Sequence, residues 1–169
     1  MQVLKGICDG AAAVIVADEN SVLKHSLKPL ARVIAWSVVG CDPTVMGIGP
    51  VPAIKRLLKL TGMELSKIDL VEVNEAFAAQ TVSVQRELKL RDERLNVNGG
   101  AIAIGHPLAA SGSRIICHLC YEMQLVVAFH HFSKNTIFID SSYQQPLIRS
   151  GNGFLPCWKS FTFTDCETL

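Results

Sequence analysis

The chain has 169 residues, of which 49% are hydrophobic and 18% charged, a composition that fits a globular protein and excludes a disordered one. Its net charge of +1 gives no electrostatic basis for binding nucleic acid or an anionic membrane surface. No apolar run reaches the length of a bilayer-spanning helix, and the scattered cysteines favour a reducing compartment over a secreted disulfide framework.

The first part of the chain predicts two strands and two helices. GAAAVIVA (10–17) predicts a buried strand, with a helix through the alanines as the alternative, and the polar DENSVLKH after it predicts a short helix. LARVIAWSVVG (30–40) is dense in β-branched residues and predicts a strand. GIGPVPAIKRLLKL (47–60) has prolines first and then apolar residues at helical spacing, which predicts a helix that ends near Gly62.

The same alternation continues to about residue 124. IDLVEV (68–73) predicts a strand and EAFAAQTVSVQREL (75–88) a helix. NVNGGAIAI (96–104) predicts a further strand and ASGSRIICHLCYEM (110–123) a further helix. Alternating strands and helices predict an α/β fold with a mainly parallel sheet, where functional groups gather between strand ends and helix starts.

The composition changes near residue 125. Most of the aromatic residues lie beyond that point, among polar clusters and without a clear period. We therefore treat residues 125–169 as a separate segment and expect it to be poorly packed or disordered. The alternative is that VVAFHHF or NTIFID pairs as a strand with an exposed sheet edge.

Two of the junctions carry side chains able to do chemistry. His106 lies between Gly105, which permits a tight turn, and Pro107, which fixes the chain direction, so its imidazole could act as a base or donate to developing negative charge. Asn74 could donate an amide hydrogen bond in the manner of an oxyanion hole. The alternatives are a helix-capping or core histidine, and an asparagine cap whose neighbour Glu75 suits the positive helix end.

Two other motifs are interpreted as structural. Cys117 and Cys120 have the spacing of a zinc or redox site, but they lie on an apolar helix with no second cysteine pair, so we expect buried thiols and no metal. NGGAIAIG lacks the glycine spacing and the following lysine of a nucleotide-binding loop.

Six stretches stand out in chain order, namely DGAAAVIVA, PLARVIAW, GCDPTVMGIGPVPAI, DLVEVNEAFAAQ, NVNGGAIAIGHPL and ASGSRI. In that order they resemble the C-terminal half of the thiolases, the acetyl-CoA acyltransferases. The resemblance covers residues from about 6 to 124. It implies a three-layered βαβαβα domain, here incomplete, with residues 1–28 as the end of the N-terminal domain, 29–124 as the C-terminal domain and 125–169 as a tail foreign to the family.

The resemblance also implies roles for four residues. The histidine of the GHP motif, here His106, helps activate a nucleophilic cysteine and contributes to an oxyanion hole, and the asparagine of NEAF, here Asn74, positions a water in that hole. Phe77 of NEAF and Met46 of the MGIGP loop match positions that line the acyl-pantetheine channel. The implied substrates are coenzyme A thioesters, the reaction is thiolytic cleavage of 3-ketoacyl-CoA or condensation of acetyl-CoA, and no cofactor or metal is implied.

The sequence departs from the family pattern at the two catalytic cysteines. No stretch matches the N-terminal domain that carries the nucleophile, and no C-x-G-G-G segment follows Met123. Ala109 also replaces the usual glycine after His-Pro-Leu. We therefore expect the 169-residue chain alone to be inactive, and the alternative function is a non-catalytic fragment that forms oligomers with thiolase subunits. The resemblance implies a mitochondrial protein of fatty acid metabolism, with a cytoplasmic one as the alternative.

Overall fold

The structure is a computed structural model that describes residues 6, 8–130, 136–140, 148–150, 153–155 and 158–167. The helices and strands, in chain order, are α1 (Glu19–Lys24), β1 (Arg32–Cys41), α2 (Pro50–Thr61), β2 (Leu70–Val73), α3 (Ala78–Leu88), α4 (Ala101–Ile104), α5 (Ser111–His130), β3 (Thr136–Asp140), β4 (Ile148–Ser150), β5 (Gly153–Leu155) and β6 (Trp158–Glu167). Short 3-10 turns cover Pro43–Ile48, Leu65–Lys67 and Asp92–Arg94.

Four strands form one sheet in the order β1-β6-β3-β2, and β4 and β5 form a separate pair. β2 and β3 are parallel neighbours, whereas β6 is antiparallel to both β1 and β3. Strands β1, β2 and β3 therefore all run in one direction and β6 runs in the other. The α/β class is confirmed, but only one of these neighbouring pairs is parallel, because the reversed β6 lies between β1 and β3.

The core forms where β2 is covered by α2 and α3. All four residues of β2 are buried, so this short strand is covered on both faces, as expected of a strand inside an α/β layer. The main apolar cluster consists of Val51, Ile54, Ile68, Val71, Val73, Val84 and Leu88. On β1, the buried Ser37 hydroxyl donates to the Ala53 carbonyl at 3.1 Å and fixes α2 against this strand. The helix and strand predictions for 30–40, 47–60, 68–73 and 75–88 are confirmed within a few residues at each end.

The strand predicted at residues 10–17 is wrong, and so is the alternative helix, because these residues have neither structure. Ile15 is 92% exposed and Val16 is 85% exposed. A strand needs a neighbouring strand to accept its backbone hydrogen bonds, and none of the described strands pairs with this segment. The short helix predicted after it is confirmed as α1, where the Asp18 carboxylate accepts from the Ser21 N–H at 2.7 Å.

The strand predicted at residues 96–104 is also wrong. Asn96 has a φ of 47° and Gly99 a φ of 85°, and the chain then enters α4. The Asn96 side-chain amide accepts from the Val73 N–H at 2.8 Å and donates to the Val73 carbonyl at 3.0 Å. One side chain thus takes the two backbone hydrogen bonds that a neighbouring strand would supply at the end of β2.

The helix predicted at residues 110–123 is confirmed and is longer than expected, since α5 runs through the start of the tail to His130. The alternative in which VVAFHHF (126–132) forms a strand is therefore wrong for residues 126–130, and its last two residues lie outside the described residues. The alternative for NTIFID agrees with the structure, because β3 lies within it and pairs with β2 from Leu70 to Val73. The division of the chain at residues 28 and 124 stays a prediction.

Replacing Asn96 should weaken the domain because Val73 is buried and would lose both partners. We expect Asn96→Ala to lower the free energy of unfolding by about 2–4 kcal/mol, since an unpaired buried backbone group costs about 1–3 kcal/mol. Asn96→Gly should lose less, because glycine tolerates the positive φ. Urea unfolding followed by far-UV circular dichroism measures both values.

Lys89→Gly is the matched control for backbone conformation. Lys89 ends α3 with a φ of 54° but is exposed, so glycine there should leave stability unchanged or raise it slightly. A wild-type unfolding midpoint in Asn96→Gly would contradict the role of the amide.

Candidate active site

The structure brings together Asn74 and His106, the two candidate site residues predicted between the elements. Asn74 follows β2 directly, and His106 lies in the bend between α4 and α5. Both side chains are 0% exposed, and Asn74 Nδ2 lies 3.4 Å from His106 Nε2. An imidazole and an amide that converge in a buried position can act as a base and as a hydrogen-bond donor to an oxyanion. Their catalytic roles stay predictions.

The bend that carries His106 rests on the N-terminal residues of the chain. The His106 N–H donates to the Gly6 carbonyl at 3.1 Å. Gly105 has a φ of 96°, and a Cβ there would lie 2.5 Å from the Cys8 sulfur, so only glycine fits. The glycine of the Gly-His-Pro stretch is therefore required, because the backbone has a positive φ at Gly105 and Cys8 leaves no room for a side chain.

Ser111 is a site residue that the sequence reasoning missed. Its hydroxyl oxygen lies 2.5 Å from His106 Nδ1 and donates to the Pro107 carbonyl at 3.2 Å. Ser111 is the first residue of α5 and is fully buried. The sequence did contain one signal for this contact, a serine at the start of a helix five residues after His106. Serine is also common as a helix cap, so the signal is not specific.

Asn74 and Glu75 do not cap a helix, because α3 begins at Ala78 with Phe77 as its N-cap residue. The Glu75 carboxylate instead accepts from the Ile102 N–H of α4 at 2.9 Å and from Asn96 Nδ2 at 3.0 Å. A Cβ on Gly100 would overlap this carboxylate. Glu75 therefore joins the end of β2 to the start of α4, and this connection holds Asn74 near the segment that leads to His106.

Phe77 and Met46, the predicted channel residues, lie on neighbouring segments. Phe77 comes three residues after Asn74 and is 40% exposed. Met46 lies in the turn Pro43–Ile48, which packs against α3. Their assignment to an acyl channel stays a prediction.

A polar network connects the buried Glu72 of β2 to partly exposed residues of α5. Glu72 is 2% exposed, and burial raises its pKa to about 7 against the lowering effect of the Arg114 charge. Its Oε1 lies 3.5 Å from Nδ1 of His118 on α5, whose pKa burial lowers. Asn98 connects the His118 ring, at 3.0 Å, to the Glu122 carboxylate, at 2.7 Å.

The interpretation of the cysteine pair on α5 is consistent with reduced thiols. Cys117 and Cys120 are partly buried, and the Cys117 thiol donates to the Ala13 carbonyl at 3.4 Å. Among residues that the structure describes, no three histidine, cysteine or acidic side chains cluster closely enough to hold a metal ion. Within the same residues no helix combines the length and the apolar character needed to cross a membrane.

A buried imidazole beside an amide donor is an arrangement that can serve acyl transfer. The family described as "Thiolase, C-terminal domain" matches residues 27–128 of the chain. Bovine (Bos taurus) mitochondrial 3-ketoacyl-CoA thiolase is 60% identical over 119 residues, which cover 70% of this chain and 30% of the bovine protein. Mouse (Mus musculus) cytosolic acetyl-CoA acetyltransferase is 48% identical over 121 residues, covering 72% of this chain and 30% of that protein.

Solved structures agree with the sequence match. The crystal structure of human mitochondrial 3-ketoacyl-CoA thiolase has a TM-score of 0.73 and 41% identity, and the match covers 90% of this chain and 34% of the human chain. The same human enzyme in complex with CoA gives a TM-score of 0.71, 42% identity, and 89% and 34% coverage. The chain belongs to the thiolase family. It spans about 30% of the length of the curated relatives it matches.

The raised pKa of Glu72 predicts a pH-dependent stability. The folded chain holds a proton on Glu72 that the unfolded chain releases above pH 4.5, so this group lowers the free energy of unfolding as pH rises from 4.5 to about 7. The loss amounts to about 3 kcal/mol at 1.36 kcal/mol per pKa unit. We expect Glu72→Gln to gain stability relative to wild type across that pH range, measured by urea unfolding at several pH values.

Glu87→Gln is the control, because Glu87 is exposed and pairs only with the exposed Lys55. Its stability should follow wild type at each pH within a few tenths of a kcal/mol. Identical pH slopes for Glu72→Gln and wild type would show that the Glu72 carboxyl does not stay protonated in the folded chain.

Proposed function

We propose that this chain provides the C-terminal half of a thiolase-type acyltransferase site. The observation that carries the proposal is the 3.4 Å approach of Asn74 Nδ2 to His106 Nε2 in a buried position. The substrates are coenzyme A thioesters, and the reaction is thiolytic cleavage of 3-ketoacyl-CoA or condensation of acetyl-CoA. The reaction uses no metal or further cofactor, since a thiol, a base and hydrogen-bond donors suffice for acyl transfer.

In the cleavage direction a cysteine thiol loses its proton to a base, and the thiolate attacks the 3-keto carbon. The C2–C3 bond breaks, the carbanion takes up a proton and leaves as acetyl-CoA, and the acyl group passes to the thiol of a second CoA. His106 is the base for the thiol, and the oxyanion accepts hydrogen bonds from His106 and from a water that Asn74 positions. The nucleophile and the second acid–base cysteine come from outside the matched residues. The 169-residue chain therefore does not turn over by itself.

The relatives support a mitochondrial role in fatty acid metabolism for this chain. Several are named mitochondrial 3-ketoacyl-CoA thiolases, while a cytosolic acetyl-CoA acetyltransferase is more distant in identity. The human relative was solved in complex with CoA, which supports a coenzyme A thioester as the ligand here. Phe77 and Met46 then contact the acyl-pantetheine part of that substrate.

A chimera tests the catalytic half-site. Residues 6–124 would replace the matching part of bovine mitochondrial 3-ketoacyl-CoA thiolase, which already contains the rest of the enzyme. We expect thiolysis of acetoacetyl-CoA by the chimera, a loss in kcat of about 100- to 10,000-fold in His106→Ala and about 100- to 1000-fold in Asn74→Ala. Steady-state kinetics measures each value.

His25→Ala is the matched control in the chimera, because His25 is exposed at the end of α1. It should leave kcat and KM unchanged. Full activity in His106→Ala, with native circular dichroism, would contradict the proposed base. Thiolysis by the unmodified 169-residue chain alone would contradict the requirement for groups from outside it.

A second candidate function is association with a full-length thiolase subunit, without catalysis. The exposure of Ile15 and Val16 favours it, because these β-prone residues pair with none of the described strands. The chain should then co-elute with intact bovine thiolase in size-exclusion chromatography. The double variant Ile15→Asp, Val16→Asp should elute separately, whereas Leu60→Asp, at an exposed position on α2, should not change co-elution. Separate elution of the wild-type chain and the intact enzyme would contradict this function.

A further inference from the structure

We propose that the tail contributes a residue to the candidate active site: strand β3 places Asp140 beside Asn74, where its negative charge favours the protonated form of His106. The proposal rests on the proposed function for its catalytic meaning, whereas the position of Asp140 follows from the order and register of the strands. The family match ends at residue 128, so the resemblance assigns no role to Asp140.

The strands of the tail occupy the middle of the four-stranded sheet. In the order β1-β6-β3-β2, the strands β1 and β2 do not pair with each other, because β6 and β3 lie between them. Neighbouring strands lie about 4.8 Å apart, so β1 and β2 are separated by about 14 Å. Along this gap β1 pairs with β6 and β2 pairs with β3. The tail is therefore part of the layer that carries the site.

The register of β3 against β2 brings the ends of these two strands together. The strands are parallel, and Val73 lies opposite Ile139. Asn74 and Asp140 are the next residues of the two segments, so the register places them side by side at the carboxyl ends of the strands. The carboxyl ends of parallel strands are where functional groups gather in α/β folds. Asp140 is also the only charged residue of β3.

The charge of a carboxylate at this register position reaches His106. The backbones of paired strands lie about 4.8 Å apart, and the Asn74 amide lies 3.4 Å from the imidazole. Charges interact over about 8–10 Å at ordinary ionic strength, and buried groups are screened less. An opposite charge favours the protonated imidazole and so raises its pKa. The effect needs no direct contact between Asp140 and the ring.

The consequence for the proposed reaction concerns the strength of the base. When His106 takes the proton of the cysteine thiol, the ring becomes a cation, and the negative charge of Asp140 stabilises that cation. Glu72 and Glu75 add negative charge to the same region, and Arg114 of α5 adds positive charge. Asp140 is therefore a positioning residue, since it acts on the reaction only through the charge state of His106.

The first experiment tests whether the tail lies in the sheet, without any requirement for activity. Cys166 of β6 lies opposite Val33 of β1. Paired antiparallel residues have Cα atoms about 4.5–5.5 Å apart, which is within the range of a disulfide. We expect the oxidised full chain with Val33→Cys to form a disulfide with Cys166, identified by mass spectrometry of its peptides.

Ile34→Cys is the matched control for the cross-link. Val33 and Ile34 are both exposed, but consecutive residues of a strand lie on opposite faces of the sheet. Ile34→Cys should therefore form no disulfide with Cys166. A folded Val33→Cys chain without the cross-link, or equal cross-linking of Ile34→Cys, overturns the placement of the tail.

The second experiment measures the pKa of His106 by NMR titration of the isotope-labelled full chain. Nuclear Overhauser contacts between the backbones of Val73 and Ile139 in the same sample check the register, and their absence overturns the position of Asp140. We expect Asp140→Asn to lower the pKa of His106 by about 0.5–1, since a single charge at about 10 Å has an effect of this size. An unchanged pKa in folded Asp140→Asn overturns the proposal.

Asp165→Asn is the matched control, because Asp165 also lies on a tail strand but at the other end of the sheet. It follows Thr164, which lies opposite Ile137 near the start of β3. It is therefore about 13 Å further from Asn74 along the strands, at about 3.3 Å per residue. Asp165→Asn should change the pKa of His106 by less than about 0.2, and a fall equal to that in Asp140→Asn overturns the proposal.

Failure of the proposed function is distinguishable from failure of this inference. The chimera carries only residues 6–124 and does not contain Asp140, so its activity tests the proposed function alone. An inactive chimera would contradict the proposed function, whereas the cross-link and the pKa of His106 are measured on the full chain and need no turnover.

Discussion

The site depends on the interaction of two side chains, Asn96 and Glu75, with the backbone around them. Asn96 holds Val73 by both of its backbone groups, and Glu75 holds the first turn of α4. Asn96 also donates to Glu75, so the two anchors are one connected unit. Because buried polar networks of this kind are costly to break, the end of β2 and the start of α4 have one stable arrangement. That arrangement is what places an amide within reach of an imidazole 32 residues later.

The elements that the sequence predicts correctly are those whose signals are local. β1 and β2 are rich in β-branched residues, and α2 begins with prolines and ends at Gly62 with a φ of 70°. The strand predicted at 96–104 fails because a carboxylate 27 residues away stabilises a helical turn there. The strand predicted at 10–17 fails because its composition is that of a strand but its pairing partner is not among the described residues. The periodicity of a short stretch of sequence does not show which distant residues it contacts.

The site was partly predictable for the same reason. Asn74 and His106 lie at junctions between elements, where chemistry is expected in α/β folds, and their neighbours Gly105 and Pro107 mark a turn. Ser111 was not predictable, because its hydroxyl contacts a ring that precedes it by five residues through a bend whose shape the sequence does not specify. The Glu72 network was also missed, since a glutamate in an apolar strand gives no sign of the histidine that faces it or of the asparagine that contacts this histidine.

The exposed segment at residues 10–17 has a consequence for handling the protein. Exposed apolar side chains in a segment outside the described strands offer a template on which another copy can form strand hydrogen bonds. Self-association is second order in protein, so its extent depends on how concentrated the solution is and how long it stands. We therefore expect self-association to limit the solubility of the purified chain. Unfolding of the α/β layer should not be the limiting process.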